Sequence, residues 1–480
     1  MLPERATGRP DDHINSFEPT QIRMRIANDI GTSAIPVNPT SVRPQVVIVG
    51  SGFAGVAAAR RLERRARSGE LDLLLVSPAD HLNYQALMPE VAAGITDPRH
   101  IAVSLRRLLR RTHVLAGAAV AIDVTRRELT LARTDGARLV VRWDLLLLCP
   151  GAVSRTFDVP GIERTVGVKS LIQAVSLRDH VLAQLALAEE VPAERDERCT
   201  FVVVGGGYSG SEFAAQMQLV SRRVAPRYRG LTAADPRWVL VEEAPRLMPQ
   251  LPRRLSTRAL KILHSRGVDV RLGVGAVEVT EHDVALSSGE RIPARTVVWT
   301  TGVQPSPLIA SLGLPTTHGR LRVDPQLRVI DADTLFAFGD AAAVPDLVNP
   351  DELCAQTAQH AVRQGRHAAD NALRALRGAP LRDYRHRDLG FVADLGGWKA
   401  VATPLGIPIS GLPAKVLTKS YHLYALPTMT NRLRVLTDWT LGTLTPNQDV
   451  RLGPVYDDDP AEVAPTSAPL AAPARSAIPS

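Results

Sequence analysis

Gln45-Val-Val-Ile-Val-Gly50-Ser-Gly52-Phe-Ala-Gly55 is the stretch of sequence that decides the fold. Its first part, Gln45–Val49, is an apolar run bounded by glycine and predicts a buried strand, while the following residues have helical composition. The first glycine allows a tight turn, the second lets a pyrophosphate approach the backbone, and the third lets helix and strand pack closely. Because the helix amino terminus also favours negative charge, this stretch predicts a phosphate-binding turn.

The same pattern occurs a second time, at Gly205-Gly-Gly207-Tyr208-Ser-Gly210. A strand is predicted before it at Thr200–Val204, and a helix after it at Gly210–Val220. One such motif could be an ordinary glycine-rich turn, but two in matching contexts indicate two dinucleotide-binding units. We name them the first fingerprint (Gly50–Gly55) and the second fingerprint (Gly205–Gly210). The fold class is therefore α/β, with two Rossmann-like domains and a carboxyl-terminal region.

Pro-Gly pairs mark the places where the chain crosses between the two units. They stand at 150–151 and 160–161, and a further crossing fits Gly302–Pro307. The simplest arrangement inserts the second domain into the first. The predicted organisation is a flexible arm (1–43), a first domain in two parts (44–160 and 305–385), an inserted second domain (161–304), a carboxyl-terminal region (386–457) and a disordered tail (458–480).

Composition excludes several classes of protein. The 480 residues carry a formal charge of +8, but no block of Lys and Arg with interleaved aromatic residues indicates nucleic-acid binding. The amino terminus lacks the pattern of a signal peptide, and no segment has the roughly 20 apolar residues of a spanning helix. The three cysteines form no close pair and the histidines show no ligand spacing, so neither a disulfide framework nor a metal site is expected.

The residue at the end of the second strand of each unit bears on cofactor choice. In the second unit it is Glu242, whose carboxylate would accept a hydrogen bond from a ribose 2′-hydroxyl and repel a 2′-phosphate. This favours NADH over NADPH. The nearby Arg246 argues the other way, and a solvated glutamate is the alternative interpretation. In the first unit Ser77 holds this position, so any contact to ribose there lacks a charge.

Four motifs together resemble the type II NADH dehydrogenases, which are NADH:quinone oxidoreductases of the FAD-dependent pyridine nucleotide-disulfide oxidoreductase superfamily. They are the first fingerprint, the segment His81–Gly94, the second fingerprint with its extension to Glu212, and Phe336-Ala-Phe-Gly339-Asp340-Ala. The resemblance runs from about residue 44 to residue 445. It implies FAD on the first fingerprint, NADH on the second, and an Asp340 contact to the ribityl and pyrophosphate region of FAD. An aspartate that caps the next helix is the alternative for Asp340.

The resemblance also implies catalytic residues. Ala358-Gln359-His-Ala-Val-Arg-Gln364-Gly365 is similar to the family's helix beside the flavin and the quinone tunnel, which makes Gln359 and Gln364 candidates for quinone contacts. Glu212 matches a glutamate near the nicotinamide–flavin interface, where it would assist proton transfer. Surface glutamines and a helix-dipole glutamate are the alternatives. The predicted cofactor-binding residues are Gly50, Gly52, Phe53, Ala54, Gly55, Ser77, Gly151, Gly339, Asp340, Gly205, Gly207, Tyr208, Gly210, Glu242 and Gly302.

The carboxyl-terminal region departs from the family. Residues 411–444 align with its membrane-anchoring helices but are more polar, with Lys415, Thr418, Lys419, His422 and Asp438. Within Asn431–Leu444, three apolar side chains are predicted on one helical face and two arginines towards the other: Leu433, Leu436 and Trp439 against Arg432 and Arg434. This helix is either an interfacial anchor, a helix packed on the protein's own core, or a dimer contact. The absence of a disulfide framework favours a cytoplasmic location. The anchor interpretation would add a peripheral position on the inner face of the cell membrane.

The expected function is transfer of a hydride from NADH to FAD and then of two electrons to a quinone, without proton pumping. One alternative is a soluble NADH-dependent reductase with a protein or small-molecule acceptor, and another is a low-turnover redox sensor. Disulfide reductases of the superfamily use a close cysteine pair, which this chain lacks. A sulfide:quinone reductase would need Cys149 and Cys354 to meet, which is disfavoured because Cys149 follows a strand, where a small buried residue is usual.

Overall fold

The computed structural model describes residues 43–155, 157–445, 449–451 and 453. The predicted flexible arm (1–43) lies outside this part of the chain except for Arg43, and the predicted tail (458–480) lies wholly outside it.

The first sheet has six strands and is parallel apart from one edge strand. The central strand begins at Gln45, as the sequence predicts, and its four valine and isoleucine side chains are buried because helices cover the sheet. In spatial order the strands are Arg328–Val329, Ala332–Ala337, Leu145–Leu148, Gln45–Val49, Asp72–Ser77 and Thr112–Ala116. Two helices, Phe53–Arg65 and Ala358–Leu376, pack against each other beside it.

The second sheet has five strands, all parallel, and lies within the chain between two segments of the first sheet. In spatial order they are Val166–Gly167, Thr296–Trp299, Thr200–Val204, Arg237–Glu242 and Val268–Leu272. Its main helices are Leu171–Glu190, Tyr208–Val224 and Arg253–Ser265. The predicted fold class, with one Rossmann-like domain inserted in the other, is thus confirmed. The exact domain limits stay predictions.

Smaller elements complete both domains. A two-stranded antiparallel ribbon, Ala152–Ser154 with Val303–Pro305, carries the chain into and out of the second domain. The remaining strands are His81–Asn83, Ala102–Ser104, Ala118–Asp123, Glu128–Ala132, Arg138–Arg142, Ala276–Val279, Asp283–Leu286, Arg291–Pro293, Thr316–Thr317, Arg320–Arg322 and Ala342–Ala343. The remaining short α-helices are Met88–Ala92, Pro98–Ile101, Leu105–Leu108, Arg195–Arg198 and Pro307–Ala310.

The two fingerprints have nearly the same geometry. Gly50 and Gly205 have φ angles of +110° and +112°, a conformation that side chains rarely adopt. A Cβ atom on Gly55 would lie 1.9 Å from the carbonyl oxygen of Gly50, and one on Gly210 would lie 1.9 Å from that of Gly205. The third glycine therefore sits inside the first helical turn. The second helix begins at Tyr208, two residues before the predicted start at Gly210.

The carboxyl-terminal region adds a small antiparallel sheet and two helices. The strands are Val392–Asp394, Ala400–Ala402 and Ile409–Ser410, and the helices are Leu412–Ala425 and Met429–Leu444. The second helix packs on Pro98–Ile101 of the first domain. Within residues 43–445, no helix combines the length and the apolar character needed to cross a bilayer.

Gly365 offers a test of the close packing beside the first fingerprint. A Cβ atom at this position would lie 2.2 Å from the backbone oxygen of Ala54, in the facing helix. We expect Gly365→Ala to destabilise the protein by about 1–3 kcal/mol, because the two helices must move apart. Chemical denaturation of the purified variant measures this change.

The matched control is Gly442→Ala, the same substitution on an exposed part of a helix. It should be neutral or stabilise by up to about 1 kcal/mol, since alanine is the better helix former. Equal stability of the Gly365→Ala variant and the parent would show that the helices do not depend on this contact.

Candidate functional site

A cavity of about 1030 Å³ lies where the two domains meet. Its wall includes Val49 and Val76 from the first sheet and Trp299 from the second, all at the carboxyl ends of parallel strands. Ligands of doubly wound folds bind at this edge of the sheet. Twelve predicted site residues line the cavity: Gly50, Gly52, Phe53, Ala54, Ser77, Gly151, Tyr208, Glu212, Gly302, Gly339, Asp340 and Gln359.

The first fingerprint presents its backbone to the cavity. A Cβ atom on Gly52, the residue that precedes the helix, would meet no atom within 4 Å, so the backbone there is open to a ligand. Ser77 is buried, and its hydroxyl lies 2.7 Å from the hydroxyl of Ser51 inside the fingerprint. Ser77 thus fixes the fingerprint and borders the cavity, while Gly55 serves packing alone.

The turn Gly339–Asp340 forms the wall next to the first fingerprint. Gln364 fixes this turn, because its side-chain oxygen accepts a 2.8 Å hydrogen bond from the Gly339 amide. Gln364 is only 2% exposed and lies behind the cavity wall. Its side chain therefore positions the turn, and the geometry does not favour the predicted direct contact to quinone.

Asp340 itself faces the cavity. Burial raises the pKa of its carboxyl group, although the nearby cations Lys169 and Arg320 act in the opposite direction. A carboxylate here can accept hydrogen bonds from ligand hydroxyl groups.

Gln359 lies on the cavity wall, on the opposite side of the same helix from Gln364. Its amide oxygen accepts from the backbone of Leu389 at 3.0 Å, and its amide nitrogen donates to the Gly390 carbonyl at 3.3 Å. It therefore joins the helix to the loop at 388–390, which also borders the cavity. Contact with a ligand would add to this structural role.

The second fingerprint lies behind the cavity, and only Tyr208 of its predicted residues reaches the wall. Glu242 caps this fingerprint, since its carboxylate accepts from the backbone of Gly206 at 2.6 Å and of Ala244 at 2.8 Å. Gly207, like Gly52, would place a Cβ atom in open space. A nucleotide on this fingerprint would extend from Glu242 towards the cavity.

Glu212 is a titratable group on the cavity wall. Burial raises the pKa of its carboxyl group to about 8, and the negative charges of Asp394 and Glu90 add to this effect. Its carboxylate accepts a 2.8 Å hydrogen bond from the Asp394 amide. A carboxyl group that exchanges its proton near neutral pH is suited to acid–base work.

Behind Glu212 lies a buried ionic cluster, which we define as Glu90, Asp394, Lys415 and Lys419. Lys415 lies 2.5 Å from a carboxylate oxygen of Asp394, and Lys419 contacts Glu90 directly. Burial alone would raise the pKa of Glu90, but the Lys419 ammonium outweighs it and the pKa lies below its ordinary value.

The polar residues that distinguish the carboxyl-terminal helices from the family make contacts within the protein. Lys415 and Lys419 join the ionic cluster, and His422 lies 3.1 Å from the buried hydroxyl of Tyr84. Trp439 donates to Glu90 at 2.6 Å and so turns to the protein's own interior, whereas Leu433 and Leu436, predicted on the same face, are exposed. Asp438 accepts from the Asp97 amide and lies 2.7 Å from His100.

Three polar side-chain atoms on the cavity wall have no hydrogen-bond partner among the described residues. They are the Asn83 carbonyl oxygen, the Tyr208 hydroxyl and the Trp299 indole nitrogen. Buried polar atoms are usually paired, so a ligand in the cavity would supply what they lack. Tyr208 was predicted from its place in the fingerprint. Asn83 belongs to the family-like segment 81–94, but nothing local in the sequence singled out Trp299.

All three cysteines are buried and unpaired. Burial raises the pKa of the Cys149 and Cys354 thiols, to about 11 for Cys354, so both are poor nucleophiles. Among the residues that the structure places, no group of three or more His, Cys, Asp and Glu side chains could hold a metal ion.

The chain is similar to known proteins over most of its length. The family model for pyridine nucleotide-disulphide oxidoreductases matches residues 44–365. The type II NADH:quinone oxidoreductase NdhA of Mycobacterium tuberculosis is 30% identical over 418 residues, which are 83% of this chain and 86% of that protein. The chain belongs to the type II NADH:quinone oxidoreductase family, which is part of the pyridine nucleotide-disulphide oxidoreductases. The family implies FAD and NAD(H) as cofactors, and the open backbone at both fingerprints fits them.

Other members and structures extend the comparison. The demethylphylloquinone reductase NdbB of Synechocystis is 30% identical, over 83% of this chain and 96% of that protein. The solved structure of NDH2 from Plasmodium falciparum in complex with NADH has a TM-score of 0.77 at 16% identity, and covers 85% of this chain and all of that one. This structural likeness supports the fold of the present member of the family.

The pKa of Glu212 predicts a pH dependence of stability. A carboxyl group whose pKa rises on folding resists ionisation in the native state, so it destabilises the fold as pH increases. We expect Glu212→Gln to gain stability relative to the parent between its ordinary value of 4.5 and about pH 8, and to gain no more above that. Thermal unfolding of both proteins across this range measures the difference.

Glutamine can still accept the hydrogen bond from Asp394, so the variant isolates the charge. The control is Glu163→Gln, which removes an exposed carboxylate. Parallel stability curves for Glu212→Gln and the parent would contradict the raised pKa.

Proposed function

We propose that this protein oxidises NADH through bound FAD and passes two electrons to a quinone. The observation that carries the proposal is the continuous cavity, which is bordered by the first fingerprint, by Tyr208 of the second, and by apolar side chains of the carboxyl-terminal region. A nicotinamide, a flavin ring and an apolar acceptor can thus share one cavity. Two relatives from Mycobacterium tuberculosis are type II NADH:quinone oxidoreductases.

FAD, when bound, supplies the two-electron redox chemistry, and the protein supplies binding, orientation and protons. In the proposed arrangement the first fingerprint faces the FAD pyrophosphate and Asp340 accepts from its hydroxyl groups. Gln364 keeps Asp340 in place through the Gly339 amide. Glu212, on the second domain's side of the cavity, can hold or release a proton near neutral pH.

NADH, rather than NADPH, is the proposed donor. The Glu242 carboxylate is fixed by two backbone amides, and each oxygen keeps a lone pair for a ribose hydroxyl. A 2′-phosphate would meet this fixed negative charge. Arg246 could have balanced this negative charge, but its guanidinium group donates instead to the carbonyl oxygens of Leu251 and Pro249. The arginine therefore does not weaken the preference for NADH.

Apolar side chains of the carboxyl-terminal region form part of the cavity wall and suit a quinone. They are Leu389, Leu405, Leu417 and Tyr421. Leu405 and Tyr421 also belong to the outer surface, with 67% and 42% of their area exposed. The apolar wall thus continues onto the outside of the protein, which favours an acceptor that arrives from an apolar phase over a polar small molecule.

The outer surface next to this opening supports peripheral association with a membrane. We define the carboxyl-terminal apolar face as the exposed apolar side chains of residues 405–444. They are Leu405, Ile407, Leu412, Val416, Tyr421, Tyr424, Met429, Leu433, Leu436, Leu441 and Leu444. A bilayer would cover this face and hold the quinone at the same place. Docking on the cytoplasmic face of the cell membrane, rather than a dimer contact, is the arrangement we propose.

An anaerobic titration tests the proposed function. NADH added to the FAD-loaded protein should bleach the flavin absorbance, and menadione or a ubiquinone analogue should restore it, because both substrates reach one cavity. Bleaching without recovery would instead favour a soluble reductase with another acceptor. Absence of bleaching would favour a redox sensor.

Co-sedimentation with phosphatidylglycerol vesicles at low salt tests the membrane proposal. The full-length protein should pellet with the vesicles, and Leu433→Ser combined with Leu436→Ser should reduce the bound fraction several-fold, since less apolar area is buried. The control combines Val277→Ser with Val348→Ser, which removes exposed apolar side chains elsewhere on the surface. Equal loss in both double variants, or a parent that stays in the supernatant, would contradict the proposal.

A further inference from the structure

Lys169 lies where the second domain borders the cavity. It follows the strand Val166–Gly167, which runs parallel to Thr296–Trp299, so both chains reach the cavity at their carboxyl ends. The side-chain oxygen of Gln173 accepts from the Lys169 amide at 2.8 Å and from the Ser170 amide at 3.1 Å. The backbone of Lys169 is therefore fixed at the start of a helix by a capping box.

Lys169 is the uncommitted cation of the cavity. Its wall contains two Lys or Arg side chains among the described residues, Lys169 and Arg363. Arg363 donates to the Arg387 carbonyl and lies 3.4 Å from a ring nitrogen of His386. The Lys169 ammonium has no hydrogen-bond partner in the part of the chain that the structure describes. Its charge is thus available to a ligand.

The Lys169 ammonium interacts with a second charged group on the cavity wall, the carboxylate of Asp340. Burial lowers the pKa of Lys169, and the carboxylate of Asp340 opposes this shift. The two side chains thus interact across the same part of the cavity as the Gly339–Asp340 turn.

We propose that Lys169 stabilises the reduced flavin and so raises its reduction potential. This rests on the binding of FAD in the proposed function. A hydride from NADH carries two electrons and one proton, leaves NAD⁺, and adds one negative charge to the flavin ring. The FAD pyrophosphate would face the helix amino terminus of the first fingerprint, which favours negative charge. The flavin ring must instead reach the second domain's nicotinamide, and Lys169 is the Lys or Arg side chain that the described part of that domain presents to the cavity.

The test is the two-electron midpoint potential of the FAD-loaded protein, measured anaerobically against reference dyes. In Lys169→Met the equilibrium constant for reduction should fall about tenfold, which equals a potential lower by about 30 mV. Lys169→Arg keeps the charge and should restore most of the parent value. Lys261→Met removes an exposed lysine outside the cavity and should leave the potential unchanged.

Two results would overturn the proposal. A weaker affinity for FAD with an unchanged potential would place the ammonium at the pyrophosphate. A higher KM for NADH with an unchanged potential would place it at the nicotinamide nucleotide. The measurement uses no quinone, so failure to reduce quinone would contradict the proposed function without altering the result for Lys169.

Discussion

A carboxylate with almost no access to water holds the site together. Glu90, on a short helix of the first domain, receives hydrogen bonds from Thr96, Lys419 and Trp439. Removing one partner of such a buried pair costs about 3–5 kcal/mol, because the other charge is left without compensation. The carboxyl-terminal helices are therefore bound to the first domain by electrostatics as well as by apolar packing. Through Asp394, the same cluster reaches Glu212 on the second domain.

Local sequence was sufficient to predict the two halves of the fold. The glycine spacing, the apolar strand before it and the helix after it are properties of about twenty consecutive residues. The strands Gln45–Val49 and Thr200–Val204 accordingly lie where they were predicted. The insertion of one domain in the other also followed, because the turn-forming Pro-Gly pairs occur where the chain crosses.

The ionic cluster could not be predicted in this way. Glu90 and Lys419 are 329 residues apart, and only the folded chain brings them together. For the same reason, the sequence left open whether Trp439 faces a membrane or the protein's own core. It also did not reveal the hydrogen bonds that join Trp439 to Glu90 and Gln364 to Gly339. Lys169 carried no motif at all. Its role depends on which neighbouring charges are already paired.

The inward direction of the polar residues in the carboxyl-terminal helices has a practical consequence. Average hydropathy over this segment underestimates the apolar character of its outer surface, because Lys415 and His422 are buried while Leu433, Leu436 and Leu444 are exposed. Deleting the two helices, in order to purify the protein without detergent, would leave the carboxylates of Glu90 and Asp394 without their counter-ions. A better strategy keeps the helices and replaces only outward leucines, so that the buried charges stay paired.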